Sequence, residues 1–234
     1  MSFRTTRWTL VRAAGGPLPA RRVALEELCT SYWPPVYAFL RRHGSDPAGA
    51  EDQTQAFFAR ILEGPGLAAA DPQRGRFRAY LLGALRHFLG HERERAAAEK
   101  RGGARATLAL DPATLEQLER DPALAATAET PERAFERAWA ASVLEQARTR
   151  LAGEQIRAGK EAQWRALEPY LARADERGHG AELARTLGAS ENAVRVALHR
   201  LRRRFGELVR EEVRETVGPG EDEDEVQALL RALE

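Results

Sequence analysis

An all-α protein with two helical domains joined by a flexible acidic linker, the second containing a helix-turn-helix, is the fold that this sequence predicts. Three observations predict it. Alanine, leucine, arginine and glutamate, all strong helix formers, dominate the 234 residues, and no stretch sustains the period-two alternation of β-branched residues that marks strands. Apolar residues recur instead at helical spacing between glycine- and proline-bearing breaks. An acidic segment punctuated by prolines separates two basic helical stretches.

The elements follow in order. Residues 1–19 form a basic arm ending in Gly15-Gly16-Pro17 and two further residues. A helix then starts near residue 20 with Leu25, Leu28 and Tyr32 on one side, and Pro34-Pro35 is expected to break or kink it, because proline lacks the amide donor and crowds the preceding turn. It resumes through Val36, Phe39 and Leu40 and stops near Gly44. Asp46-Pro47 opens the next helix, which carries Phe57, Phe58, Ile61 and Leu62 and ends at Gly64-Pro65-Gly66. A helix over about 76–100 follows, with Phe77, Leu81, Ala84, Leu85 and Phe88 at helical spacing, and Gly102-Gly103 closes the first domain, 20–103. Residues 104–131, with three acid- or threonine-proline pairs, read as the acidic linker, room being left for one short helix. The second domain, 132–214, resumes the pattern with Phe135, Trp139, Val143 and Leu144, then Trp164, Leu167, Tyr170 and Leu171, and an acidic tail covers 215–234.

Composition excludes several classes. Hydrophobic residues at 43% and charged residues at 30% suffice for a buried core and argue against disorder. No apolar run approaches the roughly 18 residues of a membrane span. Residues 1–25 hold five arginines and no acid but lack the apolar stretch of a secretory signal. The single cysteine, Cys29, can form neither an intramolecular disulfide nor a thiolate metal cluster, which fits a reducing, cytoplasmic setting. The net charge of +1 conceals blocks: 74–105 carries +6 and 191–204 carries +4, whereas 111–136 carries −5 and 215–234 carries −6. Of 36 basic residues only Lys100 and Lys160 are lysines. Two basic blocks between acidic segments suggest two surfaces facing polyanions.

The sharpest local pattern runs from Ala181 to Arg204. Leu183, Ala184 and Leu187 point inward from a first helix, Gly188 ends it in the left-handed conformation, and Ser190 caps the next. Val194, Leu198, Leu201, Phe205 and Leu208 then form the buried stripe, so Asn192, Arg195, Val196, His199 and Arg203 share the opposite face. Amide and guanidinium groups there suit base edges in a major groove, with Arg200, Arg202 and Arg204 flanking for phosphates. An ordinary helical hairpin with a solvated basic face is the plainer alternative.

Taken together, residues 50–62 (AEDQTQAFFARIL), 77–89 (FRAYLLGALRHFL) and 181–204 resemble, in order and separation, bacterial RNA polymerase sigma factors of the extracytoplasmic-function (ECF) group. The resemblance covers about 20–103 and 132–214 and implies a domain 2-like bundle followed by a domain 4-like module. It implies that the first stretch docks on core RNA polymerase through Asp52 and Gln55, and that the second melts and reads the −10 element. It further implies that 181–204 reads the −35 element of promoter DNA through Asn192, Arg195, His199, Arg200, Arg202 and Arg203. Arg78, Tyr80, Arg86 and His87 are the expected single-strand surface, guanidinium groups holding phosphates and rings supplying platforms for unstacked bases. The chain departs from the family where Tyr80 replaces the usual tryptophan, Arg86-His87 the arginine-asparagine pair and His91 an aspartate, changes that bear on −10 preference. A restraining anti-sigma factor or other regulator is a further implied partner, and no cofactor is expected.

Two other classes compete. A stand-alone regulator would bind a palindromic operator as a dimer through the same helix-turn-helix. A helical metal-dependent hydrolase would use His87, His91 and Glu92, but zinc needs at least three protein ligands and the spacing is not His-Glu-x-x-His. No phosphate-binding glycine loop or nucleophile elbow supports an enzyme. The acidic tail is expected either to be a solvated extension or to fold back on the basic helix at 191–204.

Overall fold

The computed structural model describes residues 18–63, 76–98, 116, 119, 129–171, 180–214 and 222–234. Most of the expected basic arm, most of the acidic linker and the first part of the tail lie outside the described residues. Among the described residues the secondary structure is helical and contains no strand. The helices are α1 (Leu18–Arg42), α2 (Pro47–Glu63), α3 (Phe77–Ala98), α4 (Pro131–Arg157), α5 (Glu161–Leu167) with a 3₁₀ turn at Glu168–Tyr170, α6 (Gly180–Leu187), α7 (Glu191–Arg214) and α8 (Asp222–Ala232). Among the described residues, no helix is long and apolar enough to cross a membrane.

Local chemistry accounts for the helix ends. Asp46 accepts from the Gly49 amide (2.8 Å) and Thr130 from the Arg133 amide (3.2 Å), each capping a helix that opens with proline, whose missing amide donor costs nothing in a first turn. At the other end, Gly44 and Gly188 take φ of 108° and 58°. The Ser45 amide then reaches back to the Leu40 carbonyl (3.1 Å) and the Ala189 amide to that of Ala184 (2.9 Å), closing α1 and α6.

Of the break or kink expected at Pro34-Pro35, the break does not occur: α1 continues through both prolines. Two amide donors are lost, yet Tyr32, Trp33, Val36 and Tyr37 around them are all buried. Tertiary packing of this turn outweighs a local penalty of about 3 kcal/mol for an interior proline.

The chain divides into two compact units, Met1–Ser142 with Val213–Glu234, and Val143–Glu212. The division falls inside α4 and inside α7, so each of these helices contributes to both.

Aromatic rings knit the first unit. Tyr32 of α1 meets Phe77 of α3 edge-on (5.2 Å), Trp33 stacks on Phe58 of α2 (5.7 Å), and Phe57 meets Phe88 edge-on (5.7 Å). Such pairs add about 0.5–1.5 kcal/mol each beyond the area they bury. From the segment expected as linker, Glu119 lies on a helical turn and accepts from the Tyr37 hydroxyl (2.6 Å) and from Nε and Nη2 of Arg41 (2.8 and 3.0 Å).

In the second unit the core is Ala147, Leu151, Trp164, Leu167, Leu183, Ala184, Val194, Leu198, Leu201 and Leu208, with Leu187 and Phe205 half-buried against it.

Cys29 sits buried in the first unit, and burial pushes its thiol up to about 12. A thiol so seldom ionised is a poor nucleophile. Iodoacetamide at pH 8 is expected to label Cys29 far more slowly in the native protein than in urea, as followed by intact mass; equal rates would contradict this packing.

Candidate nucleic-acid interface

The strongest candidate surface lies on α7. Ser190 Oγ accepts from the Ala193 amide (3.2 Å) and fixes where the helix starts, and hence which residues turn inward. Val194, Leu198, Leu201 and Leu208 are buried, which leaves Asn192, Arg195, Val196, His199, Arg200 and Arg203 exposed. Val196 is 40% exposed, a large apolar side chain in the middle of a polar face. Arg195 Nη2 donates to Asn192 Oδ1 (2.6 Å), so the two side chains nearest the start of the helix hold one another in place. Arg203 donates from Nε to Glu207 (3.1 Å) in an exposed i,i+4 pair that solvent screens.

Arg202 does not join this face. Its Nη2 donates to the Tyr170 carbonyl (2.8 Å) and its Nε to the Leu171 carbonyl (3.3 Å), so the guanidinium ties down the end of the 3₁₀ turn rather than projecting outward. Free carbonyls at a helix end attract a cation. Arg204 is also turned inward: Nε and Nη2 meet both oxygens of Glu154 (2.9 and 2.7 Å), and Nη1 reaches Glu207 and Glu211 (3.2 Å each). Of three arginines expected to flank the face, only Arg200 is exposed and carries no ion pair among the described residues.

In the first unit, Asp52 is exposed and Gln55 half-buried on α2, the latter with a long contact to Glu51 (3.5 Å). On α3 the expected single-strand residues separate. Tyr80 and His87 line a groove of about 630 Å³ with Phe57, Arg60, Phe88 and His91. Tyr80 stacks on Phe77 (6.1 Å), and burial raises its hydroxyl pKa. Arg86 is exposed, with Nη2 on Glu132 (2.8 Å), a pair in water that holds it weakly. Phe77 is buried.

Arg78 is the correction. It is only 6% exposed. Its Nε and Nη2 donate to the two oxygens of Glu225 on α8 (2.7 and 2.9 Å), its Nη1 donates to Glu136 on α4, and its guanidinium lies 4.6 Å from the Trp139 ring centre. Helical periodicity in α3 alone cannot reveal this, because the partners lie 58 and 147 residues further along the chain. The same holds for Arg60 and His91, which sequence reasoning did not place beside Tyr80. Nor does Glu225 lie on 191–204, where the tail was expected to fold back; it is buried against Arg78 and Arg76.

His87 and His91 stand 6.3 Å apart between ring centres, and among the described residues no group of three His, Cys, Asp or Glu side chains is placed to hold a metal ion. Comparison of the chain with family models, curated proteins and solved structures finds no match in any of the three.

Two tests follow from this geometry. Ser190→Ala is expected to cost about 1 kcal/mol of stability, measured by urea unfolding. The Arg204 guanidinium holds the Glu154 carboxyl below its ordinary value of 4.5. Its stabilisation is therefore complete above that value and is lost as pH falls through the lower folded value. Glu154→Gln is expected to flatten the acid limb of a stability–pH profile below about pH 4.5, leaving the profile near neutrality parallel to wild type.

Proposed function

We propose that the chain is a transcription initiation factor of the sigma type, akin to the ECF group, that directs core RNA polymerase to promoters. The observation that carries the reading is the α7 face: Asn192, Arg195, Val196, His199, Arg200 and Arg203 stand exposed opposite a buried stripe, behind a glycine-terminated helix and a serine cap. In this reading α6 and α7 form a helix-turn-helix whose second helix enters the major groove at the −35 element. Arg195, held by Asn192, reads a guanine; Val196 offers an apolar contact for a thymine methyl; Arg200 and Arg203 take phosphates. Arg202 and Arg204 leave the DNA-contacting set and serve the module's own packing.

The first unit has the polymerase and the melted −10 strand as its partners. Asp52 and Gln55 on α2 are the docking residues, and Tyr80, Arg86 and His87 on α3 meet the single strand, the ring and imidazole stacking bases while Arg86 exchanges Glu132 for phosphate. The chain is then a binding protein, not an enzyme, working in the cytoplasm without a cofactor.

The deciding experiment is binding of the purified chain to core bacterial RNA polymerase beside an Asp52→Ala, Gln55→Ala variant. Binding that weakens in the variant is the expected result. Salt-sensitive binding to duplex DNA with no affinity for polymerase would favour a stand-alone regulator instead. On promoter DNA with polymerase, Arg195→Ala is expected to cost about 1–3 kcal/mol and to relax preference at one base pair, read by competition among promoter variants. A uniform loss across all sequences would make Arg195 a phosphate contact.

A further inference from the structure

Glu225 is fully buried, and three guanidinium nitrogens converge on its two oxygens: Arg78 Nε on one, Arg78 Nη2 and Arg76 Nε (3.0 Å) on the other. That is the donor geometry of an oxyanion site, equally suited to a carboxylate or to the two non-bridging oxygens of a phosphodiester. Arg78 also has two contacts outside α8. Trp139 lies against the Arg78 guanidinium and Glu136 takes Nη1, which leaves the Nε–Nη2 edge to Glu225.

Few side chains hold the helix that supplies Glu225. α8 has 11 residues, too few to be stable alone in water, and among its described side chains only Glu225 and Leu229 are buried. Leu230 remains 50% exposed, so α8 adds little apolar anchorage. Arg76 immediately precedes α3 and Arg78 lies in its first turn, facing α4 and α8, while Tyr80 and His87 line the groove on the other side of the same helix.

We propose that Arg76 and Arg78 form a phosphate site for single-stranded nucleic acid and that Glu225 fills it in cis, so that docking of α8 and binding of the strand to α3 compete. The inference rests on the reading of α3 as a single-strand surface. Competition makes α8 a built-in brake: the strand must displace a carboxylate already seated on its phosphate contacts. It also gives Arg78 two partners in turn, which reconciles its burial with its place on the strand-facing helix.

The test uses the full chain and a fluorescein-labelled thymidine 20-mer. Glu225→Gln removes the competing charge while keeping the shape, and a Glu225→Ala, Leu229→Ala double variant removes both anchors. Glu223→Gln, on the exposed side of the same helix, makes an equal change in net charge away from the site. Exposure of two guanidinium groups is expected to steepen the logarithmic salt slope by about 1.4, so the gain in affinity over wild type is about sevenfold larger near 50 mM salt than near 200 mM. Glu223→Gln is expected to follow wild type. In wild type, saturating oligonucleotide is expected to accelerate amide exchange across 222–232, because competition is reciprocal. Equal gains in Glu225→Gln and Glu223→Gln, or exchange across 222–232 unchanged at saturating oligonucleotide, would overturn the proposal. The exchange measurement needs no variant and so holds even if a substitution impairs folding. Polymerase binding separates the two readings. Loss of polymerase binding in every form, with the oligonucleotide results as expected, would leave the site standing and remove the initiation-factor reading. Intact polymerase binding with no oligonucleotide effect would do the reverse.

Discussion

A charge removed from water constrains the first unit more than any apolar contact does. Arg78 is surrounded by Glu225, Glu136 and the Trp139 ring, drawn from two helices far along the chain. Desolvating such a cluster is costly, and the attraction within it roughly offsets that cost only while every partner is present. Removing one carboxylate leaves a buried cation uncompensated, a loss of about 3–5 kcal/mol, and that asymmetry makes the cluster specify one arrangement of α3, α4 and α8. Arg76 and Arg78 against Glu136 and Glu225 gives a balanced set, two charges of each sign. Burial nonetheless raises the Glu136 pKa, because the low-dielectric surroundings and the nearby Glu225 oppose the pull of Arg78.

The second unit handles its arginines by sorting rather than by burial. Those on the inner edges of α7 are matched to acids or carbonyls: Arg204 to Glu154, Glu207 and Glu211, and Arg202 to the carbonyls of Tyr170 and Leu171. Arg150 of α4 is similarly held by Glu211 and Glu212. These pairs reduce the repulsion along a crowded basic helix. They also leave the outward positive charge concentrated on Arg195, Arg200 and Arg203, so the exposed basic surface is narrower and better defined than the block charge of 191–204 suggests.

What was legible in the sequence follows the range of the interactions. The helices, the glycine that ends α6, the Ser190 cap and the buried stripe of α7 depend on residues within a few positions of one another, and periodicity exposes them. The exposed side of α7 follows from the same register. Partner choice was not legible in this way. Nothing near Arg78 signals Glu225, nothing near Arg202 signals the Tyr170 carbonyl, and the groove that joins Arg60 to Tyr80 and His87 exists only once α2 and α3 are packed. The unbroken course of α1 through Pro34 and Pro35 was hidden for a related reason: the local rule is sound, but the packing of Trp33 and Val36 overrides it.

The near absence of lysine has a consequence for control. Every positive side chain on the exposed α7 face, and each on the expected strand-facing part of α3 apart from histidine, is a guanidinium, and Lys160 lies outside both helices. Acylation silences an amine but has no counterpart at arginine, and methylation of arginine leaves its charge in place. The positive charge on these two faces therefore cannot be switched off residue by residue through amine chemistry. It can be masked by a carboxylate or phosphate that occupies the same donors.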